Sequence, residues 1–376
     1  MNRMEELDAL RGFALLGILI VNIFVFHAPY CHYSEFYGDL EGIQATTLEW
    51  MINLVADKFL FIFAFLFGYG LVLQQRSRGS DFYRYCIKRL IVLLAFGVLH
   101  ILVFWFGDIL ASYAVLGLLT LPLIALSDRK ILLIGIVLLA FRPLYALAAV
   151  IFDWSLAPAE PPAGLEEFIT VFQNGSYFEI FKLRMAEYAA FFPESLVWYL
   201  PKAWGLFLVG IFAARRKMFD HVAVKQLRYF LISISLIASS SVWYSLRQNV
   251  FASVDLDGQP LWRPFFISLN VLFETSLGMG YIFLMTVVFQ RSEWLTRFFS
   301  PTGRLALTNY LLQSTICVGV FYGFGLGLYG SLKPTDLIII AMAIFLLNIA
   351  FSLVYLHFHS VGPMEWLWRK LIGPSH

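Results

Sequence analysis

Uninterrupted apolar runs of membrane-crossing length recur along this chain from end to end, and they leave it little choice of fold. A bilayer core takes about twenty apolar residues of helix. A backbone in hydrocarbon must satisfy its own polar groups, as a helix does. Ten stretches qualify: 10–26, 48–73, 87–106, 109–126, 131–152, 196–213, 226–246, 265–289, 305–328 and 335–356. The expected fold is all-α, a polytopic transmembrane helical bundle of these ten helices. Only 14% of the residues are charged, against roughly 25% in a soluble domain, and no soluble stretch is long enough to fold separately.

The Lys and Arg residues set the orientation. With the N-terminus inside, 19 of the 27 fall in the inner connections, and the first outer loop, His27 to Thr47, has none. The positive-inside rule therefore predicts both termini on the cytoplasmic side of the membrane. The first run follows Arg11 and carries no small-x-small cleavage pattern, so it is expected to be a retained helix.

A net charge of +2, with basic residues scattered between apolar runs, gives no sign of nucleic-acid binding. Cys31, Cys86 and Cys317 lack redox or metal-ligand spacing, and no HxxxH or HxH pair suggests a metal. The longest connection, Asp153 to Ser195, contains Pro158, Pro161 and Pro162. An amphipathic stretch from Gly164 to Phe192 follows, expected to lie on the outer surface or to act as a lid. It divides the chain into a five-helix half, 1–155, and a second half, 156–376.

Polar residues inside the apolar runs are the best functional pointers, because a charge in hydrocarbon is costly without a partner or cavity. Asp8 and Arg11 can pair on one face of the first helix. Asn22, eleven residues after Arg11, shares its face near the other surface. The outer side collects His27, His32, Asp57, Lys58, His100 and Asp108, and a histidine beside a carboxylate can serve as a base at neutral pH. The ninth stretch carries Arg304, Thr308, Asn309 and Gln313, the last two on one face. It ends in a glycine-dense segment, 321–327, which permits close packing or a break. Gly362 to Arg369 is expected to form an interfacial tail helix, with Glu365 as a partner for an inner arginine.

Several segments carry a family resemblance: Leu7-Asp8-Ala9-Leu10-Arg11-Gly12-Phe13-Ala14, the run from Lys58 to Leu71, Gly107-Asp108-Ile109-Leu110, Gly303 to Ser314, and Gly362 to Arg369. Together they resemble the bacterial YeiB-like family (domain of unknown function 418). The first helices are distantly similar to a transmembrane acyltransferase superfamily that includes heparan-α-glucosaminide N-acetyltransferase and bacterial O-acyltransferases of surface sugars. The resemblance implies an acyl-CoA co-substrate bound near Arg11, Arg304, Asn309 and Gln313, and a sugar or lipid acceptor on the outer side. It places Asn22 where the O-acyltransferases have histidine, His32 near the loop histidine of the heparan enzyme, and Asp57 at the start of the second helix. His32, oriented by Asn22 or Asp57, would then be the reacting group. A small-molecule or lipid transporter, or a non-catalytic lipid- or partner-binding protein on the same scaffold, fits the same residues, and a homo-oligomer is compatible with them.

Overall fold

The computed structural model describes residues 3–152, 160–253 and 261–373; Asp153 and Pro158 lie outside them. The described residues are helix and loop, with no strand among them. α1 (Arg3–His27) is followed by a 3₁₀ turn at Tyr30–His32 and by α2 (Tyr33–Phe36). α3 (Gly42–Trp50) runs through a π-helical turn, Met51–Val55, to a break before α4 (Lys58–Arg78). α5 (Phe82–Val103) packs beside α6 (Leu110–Thr120), while α7 (Asp128–Leu139) and α8 (Phe141–Ile151) form a pair bent by 52°. α9 (Leu165–Asn174) and α10 (Tyr177–Trp198) lead into α11 (Leu200–Arg215), with a 46° bend between the last two. α12 (Met218–Val224) precedes a long pair, α13 (Gln226–Ser253) and α14 (Trp262–Arg291). The chain continues with α15 (Glu293–Arg304), α16 (Ala306–Phe321), α17 (Pro334–Phe358) and α18 (Pro363–Ile372).

This is a helical membrane bundle. By length and composition, Glu5–His27, Gly42–Val103, Gln226–Arg247, Trp262–Arg291 and Pro334–Phe358 are apolar enough to cross a membrane. The second run is 62 residues long. It breaks before Lys58 and again at Gly79, whose φ of 53° is open to glycine, so α4 and α5 are separate rods. The two bent pairs and the shorter apolar segments Leu110–Ala125 and Ala306–Phe321 account for the remaining apolar stretches.

α1 is the central element and packs against α4, α14, α15, α16 and α17. Leu10, Ala14, Leu15, Ile18 and Ile23 are buried along it, so its apolar character on every side is matched by neighbours. Around the outside, Ile91 and Leu99 of α5, Leu231 and Val242 of α13, and Ile339, Leu347 and Val354 of α17 are exposed. On a soluble protein such a belt would drive association; here it suits lipid. Two close crossings fix the interior. A Cβ on Gly12 or Gly303 would overlap the facing backbone of α15 or α1, and one on Gly68 or Gly210 would do the same between α4 and α11. Small residues of this kind let helices approach within the membrane.

Three sequence boundaries need correction. The stretch 48–73 is not one helix: Asp57 takes a left-handed backbone, φ 67°, and α4 starts at Lys58. The stretch 305–328 stops as a helix at Phe321. Residues 322–330 fold back so that Leu326 N, Leu328 N and Tyr329 N donate to the carbonyls of Gly319, Val320 and Phe321. Gly327 and Gly330 supply the positive φ this reversal needs. The amphipathic 164–192 stretch is two helices, α9 and α10, packed over the end of the bundle. Buried Arg184 donates to the carbonyls of Leu102, Val103 and Phe104, and Glu187 accepts from Tyr30 N at 2.7 Å and Cys31 N at 3.3 Å.

Candidate functional site

Four arginines from four helices converge on one pocket. Arg11 of α1, Arg89 of α5, Arg304 at the end of α15 and Arg369 of α18 line a cavity of about 400 Å³, within the range of small-molecule sites. Arg11 pairs with Asp8 at 2.6 Å. Arg304 donates to Ser360 O at 2.9 Å, and Arg89 lies 4.5 Å over the Trp368 ring, whose Nε1 donates to Arg89 O. Among the described residues no carboxylate pairs with Arg89, Arg304 or Arg369. Glu365 also lines the pocket, but its oxygens are taken: Leu307 N and Thr308 N donate to Oε1 at 2.8 and 3.1 Å, and Thr308 Oγ1 to Oε2 at 2.6 Å. It therefore caps the start of α16 as an anion at a helix N-terminus and holds α18 beneath it. The pocket keeps a surplus of positive charge.

Deeper in, the walls turn apolar and aromatic: Phe63, Leu66 and Phe67 of α4, Leu93 of α5, Leu110 and Tyr113 of α6, and Tyr310 of α16. Behind the Tyr310 ring is a buried polar cluster. His100 stacks obliquely on it, with centroids 5.2 Å apart. His100 Nε2 is 2.8 Å from Ser314 Oγ, and His100 Nδ1 is 3.1 Å from Asp108 Oδ1, outside hydrogen-bonding alignment. Both side chains of the His100–Asp108 pair are wholly buried. Asp108 is fixed by Ala111 N donating to its Oδ2 at 2.6 Å, and Tyr310 OH accepts from Ile109 N at 3.3 Å. Gly97 makes the approach possible, since a Cβ there would overlap the backbone of Ala111. A histidine thus stands between a carboxylate and a hydroxyl in one buried cluster, the residue types that proton transfer uses.

The structure divides the residues singled out in the sequence. Arg11, Arg304 and Glu365 line the pocket, Asp8 holds Arg11, and His100 and Asp108 form the cluster behind it. Asn309 and Gln313 are buried but do not line the pocket. Asn309 Nδ2 donates to Thr302 O and Ser352 Oγ, which ties α16 to α15 and α17. His27 is buried at the far end of α1, accepting from Leu332 N at Nε2 and facing Tyr37 OH at Nδ1. His32 lies in the loop under α9, bonded to Glu35 and to Ala163 O. Asn22 is half-buried within α1, and Asp57 sits at the break before α4. None of His32, Asn22 and Asp57 lines the pocket. Arg89, Arg369, Tyr310 and Ser314 complete the arrangement. The two arginines are detectable in sequence as inner-side charges, but their convergence is a property of the packing.

The family described as "Protein of unknown function (DUF418)" matches residues 213–373. Along the whole chain, the sequence is similar to YeiB of Escherichia coli (strain K12), 30% identical over 99% of this chain and 96% of that protein. YxaH of Bacillus subtilis (strain 168) is 29% identical over 98% and 94%. A 39.9 kDa protein from the amylase 3' region of Bacillus acidopullulyticus is 27% identical over 98% and 93%. No solved structure matches the chain.

Proposed function

For a chain that belongs to the YeiB-like DUF418 family of membrane proteins, we propose a membrane acyltransferase that takes an acyl group from a cytoplasmic acyl-CoA and gives it to a sugar or lipid acceptor on the outer side. The observation that carries this reading is the arginine pocket grading into an aromatic throat that ends at the His100–Asp108 pair. A phosphate-rich carrier with a long uncharged arm ending in an acyl group needs cationic groups at one end and an uncharged, largely apolar channel at the other. Arginine suits phosphate because its planar fork donates in pairs. The positive-inside rule puts this end of the bundle in the cytoplasm, along with both termini, in a bacterial inner membrane.

In this reading Arg89, Arg304 and Arg369 bind the carrier phosphates, and the thioester lies against Tyr113 and Tyr310. Rotation of the Tyr310 ring opens the way to His100. His100 Nε2 takes the proton of the attacking hydroxyl as that oxygen bonds to the acyl carbon, and Asp108 stabilises the imidazolium that forms. The carbon–sulfur bond breaks and the carrier leaves as a thiolate, which the imidazolium reprotonates. His32, at the far end of the bundle, is the competing candidate for the base.

The test is transfer of labelled acetyl-CoA in proteoliposomes containing total bacterial lipid and lipid-linked sugars. Loss of label incorporation in His100→Ala with retention in His32→Ala supports the assignment. Equal incorporation by wild type and His100→Ala would remove His100 from the chemistry. Absence of transfer in the wild type, with unidirectional flux of an unmodified solute, would favour a transporter.

A further inference from the structure

A second group of charges lies at the other end of α4. Lys58, its first residue, is 2% exposed, and Lys202 of α11 is 5% exposed. Lys202 forms an ion pair with Glu274 of α14. Lys58 Nζ donates to Ile52 O at 3.1 Å and lies 5.0 Å from the Tyr244 ring of α13. Arg247 covers the same ring at 5.2 Å and donates to Asn53 Oδ1 at 2.7 Å. Glu274 feels Lys202, Lys58 and Arg142 of α8 together, and Lys58 feels Glu274 and Asp57. Lys58, Lys202, Arg142 and Arg247 thus gather around Glu274 and Asp57, with Glu194 acting beside Asp57 and Arg142 on the neighbouring Tyr30. Burying an uncompensated ammonium is strongly unfavourable, and in a membrane such charges mark ligand sites and pathways.

Two further observations point to a missing acceptor. Tyr244 OH and Arg142 Nε are both buried and hydrogen-bonded to nothing. Each is a donor left over where cations converge, and a buried donor without an acceptor costs free energy that a bound oxyanion would recover. The backbone here is also irregular: the π-helical turn Met51–Val55 and the left-handed Asp57 both precede Lys58. Features of this kind persist where function maintains them.

We infer that Lys58, Lys202, Arg142 and Arg247, with the Tyr244 hydroxyl, form a second site that binds an anionic phosphate headgroup, one with no cation of its own to balance it, at the end of the bundle opposite the arginine pocket. Several donors on different sides suit the several oxygens of a phosphate better than a single carboxylate edge. The site stands whether or not the pocket handles an acyl donor, because its recognition chemistry is separate.

The experiment is thermal unfolding of the full chain in detergent, read against added phosphatidylglycerol, phosphatidylcholine of the same chains, glycerol phosphate and inorganic phosphate. Phosphatidylglycerol is expected to raise the midpoint by several degrees and phosphatidylcholine not to. A shift also produced by glycerol phosphate or inorganic phosphate assigns a soluble source, and a shift confined to the lipid assigns a headgroup. The shift should vanish in Lys58→Gln and Lys202→Gln and persist in Arg304→Gln. Tyr244→Phe, which removes one hydroxyl and leaves the packing intact, should halve it at least. Equal shifts with the two lipids, or a phosphatidylglycerol shift that survives in Lys58→Gln and Tyr244→Phe but disappears in Arg304→Gln, would overturn the proposal.

Discussion

Glu365→Ala should release the floor of the arginine pocket without unfolding the bundle. Glu365 takes three hydrogen bonds from the start of α16, and with the Trp368–Arg89 contact it is one of the links that hold α18 against the pocket. Alanine leaves the amides of Leu307 and Thr308 without an acceptor. An unmatched buried donor costs about 1–3 kcal/mol. Glu365 is half-buried, so water reaches part of the gap, and the low end applies to both amides: about 2 kcal/mol in all, or roughly 30-fold in a local opening equilibrium. Hydrogen exchange in nanodiscs, followed on peptides covering residues 305–312, should show protection falling about 30-fold. Peptides from the middle of α17 serve as an internal control. Glu365→Gln keeps an acceptor oxygen but loses the charge, so it should fall between the two. The same release should weaken binding of a phosphate-bearing ligand by detaching Arg369. Unchanged exchange at 305–312 in Glu365→Ala would refute the capping account and, with it, the idea that the tail helix closes the pocket.

Three other perturbations test separate parts of the structure. Gly303→Ala places a methyl group against the Asp8 carbonyl and should destabilise by about 1–3 kcal/mol, the usual range for overpacking. Gly319→Ala, which meets nothing within 4 Å, should be neutral or slightly stabilising, and thermal unfolding of the pair checks the contrast. The Cys31 thiol is pushed up to about 12, first by burial and then by the Glu187 carboxylate. Its thiolate fraction is therefore small at neutral pH, and maleimide labelling should keep rising tenfold per pH unit past pH 8.5, where an ordinary thiol levels off. Glu187→Gln should speed labelling, and a plateau near pH 9 in the wild type would contradict this account. Tyr113 donates to Leu60 O at 2.7 Å and packs its ring against Phe67 and Phe207. Tyr113→Ala should deepen the pocket toward Lys58 and shift donor preference to longer acyl chains, and an unaltered chain-length profile would show that this ring does not bound the throat.

The apolar runs carry the architecture because the bilayer demands it. All ten sequence stretches fall on helical segments, although 48–73, 131–152 and 196–213 are broken or bent and 305–328 ends as a helix at Phe321, and residues such as Arg11, Arg304 and Glu365 are conspicuous as charges near those runs. The internal irregularities are less legible. Nothing in the run from Trp50 to Phe65 encodes where the π-helical turn stops or that Asp57 takes a positive φ. The early end of α16 was foreshadowed by its glycines, though not the fold-back onto Gly319–Phe321. His100 and Asp108 share a depth in the sequence reading, but their pairing with Ser314, more than 200 residues away, depends on how α5 and α16 pack. Lys202 and Glu274 were open to detection as charges inside the stretches 196–213 and 265–289. Their partnership was not, because nothing local links α11 to α14.

α4 relates the two charged sites to each other. Sixteen residues separate Lys58 from Gln74, so at 1.5 Å per residue the rod spans about 24 Å between them. Phe63, Leu66, Phe67, Gly70, Leu73 and Gln74 all face the arginine pocket, at the three- and four-residue spacing of a single helical face. That face stops at Phe63, five residues short of Lys58, which leaves about 7.5 Å of rise. Within that interval Tyr113 bonds to Leu60 O, and Lys202 lies over the Phe61 ring at 3.9 Å. The barrier between the sites is therefore about one and a half helical turns of aromatic packing, thinner than the bilayer core by a factor of about four. A device that merely anchored the chain would gain nothing from gathering cations on both sides of so thin a wall, with Lys58 and Lys202 buried on one side and Arg304 and Arg369 open to solvent on the other. One that passes a small group from a ligand on one side to a ligand on the other needs both sites charged, the wall apolar, and a side chain able to turn within it. Tyr113, which lines the pocket and donates to Leu60 O within the wall, is the side chain in that position.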